Sequence, residues 1–449
     1  MKRHLTLAIA AAVIMLGGCE GESSLPTPTG KGSIRALNAI PRSPEISFLI
    51  EERVLGSARF QAATNSEQYD DFEYTFHFET LLAGDTSLTR VASQVLDVQA
   101  DTDYTFVVSG DFTSPDVAVW ESPQREWNDA DTVFEVRAGH LATSLGMIDI
   151  YIADEMTPPA LGSQVATIGL DEVSPALDLE AGDYVVTVTP AGDDSTILYA
   201  SDPVTFGAQA QFVISLFDGD ENDLGTVVAL TLNQTNGVSA EIADSRFPPN
   251  IRFIHASMSL GNADIYVDEP ITTPIATDHA FMDVTDFFDV AAGGLPVTYT
   301  VPGDTGMLLF NVIQPIVQGS RTDFYALPTS SGTDFTFGDI FDRRAVDTTA
   351  RLGLINAAVG RDAVDLYLVP SGELIDEATP LVAGLPLTAA PFTVPITPAS
   401  YDIYVTDTGE KIPLAGPIPL VVDFGDVLQA MILENVQPTV VDFAFIPQP

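Results

Sequence analysis

Short runs in which apolar and polar residues alternate are the dominant pattern of this chain. Residues 72–79 place four aromatic side chains on one face of a strand, with Glu, Thr and His on the other. A period of two residues is typical of a strand with one face on a core. Similar runs at 103–108, 184–189 and 401–405 lie next to Gly, Pro or Asp. This spacing predicts an all-β fold of sandwiches or barrels, not strands alternating with helices.

One strand of this pattern returns four times along the chain. Each copy holds an Asn or a His at the same place, and successive copies lie 102, 115 and 101 residues apart. Solenoid repeats are only about 20–50 residues long, so a period near one hundred predicts a tandem array of whole domains. The four repeated positions are Asn38, His140, His255 and Asn356.

We therefore expect four tandem β-sandwich domains, joined by short linkers such as 237–249 and arranged as an extended acidic rod. A domain of about a hundred residues buries enough surface for a core of its own. The predicted bounds are 33–125, 132–236, 250–345 and 350–449.

The N-terminus carries an export signal. Lys2 and Arg3 precede an apolar run from 5 to 16, which is shorter than the roughly 20 residues that span a bilayer. The following residues, 16–19, resemble the lipobox of bacterial lipoproteins. That resemblance implies a signal peptide at 1–18, removed before Cys19, and lipid on the Cys19 sulfur; an ordinary signal peptide that happens to carry a cysteine is the alternative. Residue 20 is Glu and not the Asp associated with inner-membrane retention, so the resemblance implies an outer-membrane anchor, with 19–32 as anchor and tether.

Charge narrows the range of partners. The 449 residues include 63 acidic and 18 basic side chains, a formal net charge of −45. Nucleic acid is excluded as a partner because phosphate binding needs Lys and Arg. The same field attracts cations, and residues 218–223 place oxygen donors at alternating positions, which suits calcium. Asp218, Asp220 and Asn222 are the calcium candidates, although the segment departs from the EF-hand pattern and a solvated acidic hairpin is the alternative; no other cofactor is expected.

The remaining polar residues favour structural roles. Asn and His at one repeat position share a short planar side chain that bonds backbone groups, so we expect them to close a turn. Arg35, Arg137 and Arg252 share another position, where Asp149 and Asp264 are the expected ion-pair partners. Trp120 and Trp127 suggest either a sugar-stacking platform or, for Trp120, a core position. The sequence contains no nucleophile elbow, phosphate loop or zinc motif, so we expect no enzymatic activity.

The repeats resemble a bacterial family known as domain of unknown function 4397. The family pattern is Ile-Arg, two apolar residues, His or Asn, then Ala, followed downstream by an Asp-apolar-Tyr strand. Residues 251–256 and 264–266 fit it well, while the first and fourth copies diverge, with Gly353 where Arg is usual. The resemblance implies immunoglobulin-like sandwiches on secreted or lipid-anchored proteins, and it carries no catalytic residues to this chain.

Together these features predict a lipid-anchored envelope protein that acts as a binding or adhesion module. Its expected partners are the membrane, through lipid on Cys19, and a glycan or an envelope or cell-surface protein. The alternative is a structural spacer or envelope-assembly factor without a small ligand, and a secreted-type enzyme is a third, less favoured reading.

Overall fold

The computed structural model describes residues 27–154, 157–268, 270–329, 334–387 and 391–448. These residues form strands, turns and loops without a helix, which confirms the predicted all-β fold. Within the same ranges no helix is long and apolar enough to cross a membrane.

The first sandwich has two antiparallel-rich sheets. One has the strand order β4-β1-β8-β9, with β5 also paired to β1, and the other has the order β3-β2-β6-β7. Its strands are β1 (Lys31–Asn38), β2 (Ile46–Ile50), β3 (Arg53–Ala58), β4 (Ala62–Ala63), β5 (Glu67–Asp70), β6 (Glu73–Thr80), β7 (Thr89–Asp97), β8 (Thr102–Asp111) and β9 (Ser114–Pro123).

The second sandwich repeats this plan. Its sheets have the orders β13-β10-β17-β18-β19 and β12-β11-β14-β15, with β16 also paired to β14. Its strands are β10 (Val133–His140), β11 (Ile148–Ala153), β12 (Ala166–Ile168), β13 (Leu177–Glu180), β14 (Gly182–Pro190), β15 (Tyr199–Ala200), β16 (Val204–Phe206), β17 (Gln211–Asp218), β18 (Val227–Asn233) and β19 (Ser239–Ile242).

The third sandwich has the sheets β23-β20-β26-β27 and β22-β21-β24-β25. Its strands are β20 (Asn250–His255), β21 (Ala263–Tyr266), β22 (Ala276–His279), β23 (Phe288–Asp289), β24 (Gly293–Val301), β25 (Asp304–Ile316), β26 (Arg321–Pro328) and β27 (Asp334–Asp339).

The fourth sandwich has the sheets β31-β28-β34-β35 and β30-β29-β32-β33. Its strands are β28 (Ala350–Ala357), β29 (Ala363–Pro370), β30 (Val382–Pro386), β31 (Phe392–Ile396), β32 (Ala399–Asp407), β33 (Pro413–Val422), β34 (Val427–Glu434) and β35 (Val441–Phe445).

All four sandwiches share one topology. The first strand of each copy runs parallel to a later strand of the same sheet, as β20 does to β26, while the other pairings are antiparallel. The predicted period of about one hundred residues therefore corresponds to one two-sheet unit. Two boundaries differ from the prediction: β1 begins at Lys31, inside the expected tether, and β19 lies inside the expected 237–249 linker because it pairs with β18.

Each sandwich encloses its own core. In the first, Phe48, Phe76, Phe78 and Phe106 form a stacked and tilted aromatic cluster with ring centroids 4.7–5.8 Å apart. Two of these rings, Phe76 and Phe78, belong to the alternating aromatic positions of residues 72–79. The other three cores are mainly aliphatic or mixed, and none depends on a neighbour to be closed.

Two further apolar clusters join the sandwiches in pairs. The outer face of the first sheet in sandwich one packs on that of sandwich two, where Leu37, Val107 and Trp120 meet Leu230 and Leu232. Sandwiches three and four pair in the same way through Ile254, Tyr325, Ile355 and Met431. The expected end-to-end rod is therefore wrong, because the first sheets carry a second apolar face that packs on a neighbour.

The repeated Asn and His positions close the first turn of every sandwich. In each copy the side chain accepts a hydrogen bond from the backbone N–H two residues later, and three of these bonds are 3.0–3.3 Å long. His255 Nε2 also donates to the Gly261 carbonyl at 2.7 Å, and Asn356 Nδ2 donates to the Leu385 carbonyl. This geometry confirms the predicted structural role, because an amide and a neutral imidazole supply the same acceptor and donor.

The expected arginine partners are wrong. Asp149 and Asp264 instead accept hydrogen bonds from the backbone N–H of Gly192 and Gly303, in the turns that follow β14 and β24. Asp365 does the same for Gly409 in the fourth copy. The Asp-apolar-Tyr strand therefore uses its carboxylate as an anchor for a glycine turn, which leaves the arginines free to serve the contacts between sandwiches.

Candidate functional site

The acidic loop, residues 218–223 between β17 and β18, holds neighbouring parts of the chain together. Asp218 accepts hydrogen bonds from Thr143 and Ser144, including 2.7 Å bonds from the Thr143 backbone N–H and hydroxyl. Gln61 of the first sandwich donates to the Asp218 carbonyl and to the Asp223 carboxylate. The loop therefore bridges the first two sandwiches.

The same loop also binds the junction linker, residues 340–347, between the third and fourth sandwiches. Asn222 donates to the Asp342 carboxylate at 2.8 Å and accepts from the Arg343 backbone N–H at 2.6 Å. Glu221 accepts from the Ala345 N–H and from Arg42, which also pairs with Asp347. Loops and linkers that are remote in sequence thus meet at one place, which we call the junction.

This arrangement separates the three calcium candidates. The Asp218 carboxylate faces Thr143 and Ser144, whereas Asn222 faces the junction linker and Asp220 accepts from the Asn222 backbone N–H. Among the residues that the structure describes, no group of three or more His, Cys, Asp or Glu is placed to hold a metal ion. The oxygens predicted for calcium are occupied by protein donors, and calcium binding by this loop stays a prediction.

Burial raises the pKa of three carboxyl groups in or beside the acidic loop. Burial, reinforced by the neighbouring Asp223 charge, raises the pKa of Asp220 to about 6. Burial also raises the pKa of Asp223 and of Glu241. Asp342 behaves in the opposite way: burial works against its charge, but hydrogen bonds from Arg351 and Asn222 hold its pKa at about 2. The negative charge is therefore disfavoured on these three carboxyl groups and favoured on Asp342 of the junction linker.

Arginine is concentrated at this junction. The acidic loop and the junction linker together line two recesses in the described part of the chain. Of the chain's 18 basic residues, seven lie in or behind these recesses. These residues are Arg42, Arg59, Arg252, Arg321, Arg343, Arg344 and Arg351. They lie among carboxylates, including Glu221, Asp323 and Asp342, which pair with several of them.

The larger recess, the junction cavity, has a volume of about 450 Å³. All four sandwiches or their linkers contribute to its wall. Three of its side chains are cationic and two are anionic. The lining residues are Arg42, Glu221, Arg321, Arg343, Ala345, Gly425, Asp426, Val427 and Gln448.

The three cavity arginines differ in how fully they are bonded. Arg343 is 5% exposed and donates to Asp323 at 2.7 Å, yet its Nε is buried without a partner. Arg42 is shared between Glu221 and Asp347. Arg321 donates to the Glu221 carbonyl at 3.2 Å and, among the described residues, has no carboxylate within ion-pair distance. Arg321 therefore retains the donors that an incoming anion requires.

A buried ionic network holds Arg343, one of the residues that line the cavity. Arg252 donates to Asp323 at 2.7 Å, and the same carboxylate accepts from Arg343 and Gln429. Gln429 belongs to the fourth sandwich, so the network crosses the pair interface. Arg252 is thus in an ion pair, as the sequence suggested, but with a residue of β26 that the spacing did not identify.

The two tryptophans do not form a platform. Trp120 is buried between the first two sandwiches, with its ring against Gly139 and its indole N–H donating to the Asp171 carbonyl at 3.4 Å. The Arg125 guanidinium carbon lies 4.2 Å from the centroid of the Trp127 ring. The core reading of Trp120 is confirmed. The lipidation candidate Cys19 lies outside the described residues.

Sequence reasoning missed the junction arginines, although one signal was present. Arg321, Arg343, Arg344 and Arg351 fall within 31 residues of a chain that has no Lys or Arg between 253 and 320. A basic cluster that abrupt in an acidic chain indicates a site where anions or carboxylates gather.

The comparisons with known proteins add one assignment. No curated protein matches the sequence. Among solved structures, the Bacillus anthracis TIE protein is similar at 10% sequence identity over 90% of this chain and 68% of that one, with a TM-score of 0.15, an overlap too poor to carry an argument.

The family model described as domain of unknown function (DUF4397) matches residues 32–151 and 249–367. Each match begins at the first sandwich of a pair and ends in the second strand of the next sandwich. The two matched segments together cover just over half of the 449 residues, so this chain belongs to the DUF4397 family.

Proposed function

We propose that this protein is a lipid-anchored envelope component whose four sandwiches form a non-enzymatic binding and adhesion module. The sequence supports the anchor through the lipobox-like residues before Cys19. The tandem all-β DUF4397 architecture is compatible with a module that presents a binding surface. The proposed binding site is the junction cavity.

The single observation that carries this proposal is Arg321, a cavity arginine that has no carboxylate within ion-pair distance among the described residues, in a chain of net charge −45. Guanidinium groups bind carboxylates through paired, charge-assisted hydrogen bonds. Arg321 has unoccupied donors, and the buried Nε of Arg343 lacks a partner. We infer that the ligand presents one carboxylate, because a polyanion meets repulsion from the surrounding acidic surface. An acidic sugar at the end of a glycan presents a single carboxylate without being a polyanion.

The test is calorimetric titration of the full chain with galacturonic acid, with galactose as the uncharged control. Arg321→Gln removes the charge at the least bonded cavity arginine. Loss of one charge-assisted contact costs about 1.5–3 kcal/mol, so affinity falls by roughly 10- to 150-fold. Arg53→Gln, on the exposed edge of sandwich one with Glu67 3.8 Å away, is the matched control and leaves binding unchanged. Equal binding of galactose and galacturonic acid, or of Arg321→Gln and wild type, contradicts the proposal.

A spacer or envelope-assembly role is the second candidate, and one observation favours it. The acidic loop ties the two sandwich pairs together through Asn222, Glu221 and Arg42, so the junction also serves as a structural joint. This role predicts that Arg321→Gln cells keep an intact envelope phenotype while deletion of the protein loses it. Protease shaving of intact cells, read with an antibody to the fourth sandwich, supports adhesion when that sandwich is removed and a spacer when it is protected.

A further inference from the structure

The edge strand β25 differs from the corresponding edges of the other sandwiches. It ends the sheet β22-β21-β24-β25, and its residues 307–313 carry neither charge nor proline. The equivalent edge in sandwich four, β33, contains three prolines, and β7 in sandwich one carries Arg and Asp. Edges of natural sheets are normally protected by such residues, because open backbone groups attract another strand. Residues 307–313 of the β25 edge lack that protection.

The outward side of β25 is also apolar. Met307, Leu308 and Ile313 are 56%, 56% and 68% exposed, and Val317 beyond the strand is 61% exposed. Phe310 and Val312, which alternate with the exposed Asn311 and Ile313, pack against the core of the third sandwich. The strand therefore offers a row of large apolar side chains beside its free edge, which is rare on an acidic monomer.

The pairing register shows which backbone groups face outward. Pro296 of β24 lies opposite Ile313, and Gly294 lies opposite Pro315. Proline has no N–H, so these pairs belong to the set that does not exchange hydrogen bonds across the β24–β25 ladder. The N–H and C=O groups of Asn311 and Ile313 consequently point away from β24. They form the open edge.

Charge identifies the kind of strand that fits this edge. Residues 253–320 contain eight acidic side chains and no Lys or Arg. A second copy of the chain brings the same net negative charge against itself, whereas a strand flanked by basic residues is attracted by the net charge of −45. We propose that β25 docks an extended apolar segment of another protein, flanked by Lys or Arg, as an added strand of the third sandwich.

This mode of recognition divides the work between backbone and side chains. Backbone hydrogen bonds from Asn311 and Ile313 supply affinity, and alternate apolar side chains of the added strand pack beside Ile313 and Val317. The site lies on the other sheet of the third sandwich from β26, which supplies Arg321 to the junction cavity. Its test is therefore independent of the galacturonic acid titration.

The experiment uses a labelled synthetic peptide of alternating Thr and Val residues between two pairs of lysines, titrated into the full chain by fluorescence anisotropy. Ile313→Pro removes one outward N–H without removing a bond to β24, and we expect affinity to fall at least 10-fold. Ile313→Thr keeps the N–H and the branched side chain, and we expect a smaller loss. A peptide with glutamates in place of the lysines binds at least 10-fold more weakly.

Amide hydrogen exchange of the wild-type chain provides a readout that does not depend on a variant folding. Addition of the lysine-flanked peptide slows exchange at Asn311 and Ile313 while leaving Val312, already bonded within the sheet, unchanged. No binding, or binding that Ile313→Pro leaves intact, overturns the proposal. Concentration-dependent dimerisation that Ile313→Pro abolishes also overturns it, because the occupant is then a second copy.

Discussion

The contact between Trp120 and Gly139 gives a sharp test of the paired sandwiches. Trp120 lies on β9 of the first sandwich, and Gly139 lies on β10 of the second. A methyl group on Gly139 would come within 2.4 Å of the Trp120 Cη2 atom. We therefore consider Trp120→Ala, Gly139→Ala and the double variant together.

The magnitude of the Trp120→Ala effect follows from burial. A buried Trp removes about 150–250 Å² from water, and at about 25 cal/mol per Å² this amounts to about 4–6 kcal/mol. Measured Trp→Ala changes in cores are about 3–5 kcal/mol. The 3.4 Å indole hydrogen bond is long and adds little. We expect a loss of about 3–5 kcal/mol from the coupling between the first two sandwiches.

The assay is equilibrium unfolding in urea, followed by far-ultraviolet circular dichroism. Each sandwich has its own core, so weakening their interface separates one transition into two and lowers the apparent slope. Trp127→Ala is the matched control, since this ring contacts only a neighbouring arginine among the described aromatic and cation contacts, and it changes stability by at most about 1 kcal/mol.

The double variant isolates the contact. Gly139→Ala alone destabilises the interface, because the Trp120 ring has to move away from the added methyl. In the Trp120→Ala background that methyl enters vacated space, so Gly139→Ala becomes nearly neutral. The expected coupling is about 1–3 kcal/mol. Additive effects, or a Trp120→Ala loss below 1 kcal/mol, refute the paired arrangement.

Further predictions concern the turn, the acidic loop and the anchor. His255→Asn retains the acceptor for the Ser257 N–H, as Asn38 and Asn356 provide in their own turns, and lowers the free energy of unfolding less than His255→Ala, which leaves that N–H unsatisfied and costs about 1–3 kcal/mol. Asp220→Asn stabilises the chain by on the order of 2–3 kcal/mol at pH 8, because the carboxyl pKa of about 6 makes the charged form costly in the folded state. This gain is absent below about pH 4, where the carboxyl is protonated in both states, and it is complete once the pH has risen through 6. A difference that does not change with pH contradicts the prediction. Calcium binding at 218–223 predicts a higher unfolding temperature in calcium than in chelator, and equal temperatures remove that prediction. Cys19→Ala transfers the protein from the membrane to the soluble fraction, and unchanged membrane retention disproves lipid anchoring through that residue.

The sequence predicted the elements that depend on local pattern. The alternation at 72–79 predicted a strand with aromatic rings in the core. The equivalent positions of Asn38 and His255 predicted side chains that close a turn by hydrogen bonding. Both features are determined by neighbours along the chain. The first strands, such as β20 and β28, carry apolar residues on both faces, because one face lies in the sandwich core and the other in the interface between sandwiches. That signal pointed to a second packing layer and was not interpreted as one.

The junction was beyond sequence reasoning because its contacts join distant residues. Arg42 and Asp347 are 305 residues apart, and Asn222 and Asp342 are 120 apart. The spacing of the acidic residues at 218–223 predicts a calcium site, whereas in the structure the loop bonds arginine, glutamine and hydroxyl side chains and backbone amides. Local spacing describes which groups are available, and only the fold determines what they face.

The most direct test of the account is a crystal structure of the full chain grown with galacturonic acid. The account predicts a carboxylate in the junction cavity, bonded by Arg321 and within reach of the Arg343 Nε, with the acidic loop still bound to the junction linker. A sugar bound elsewhere, or a cavity in which Arg321 turns away to pair with a protein carboxylate, contradicts it.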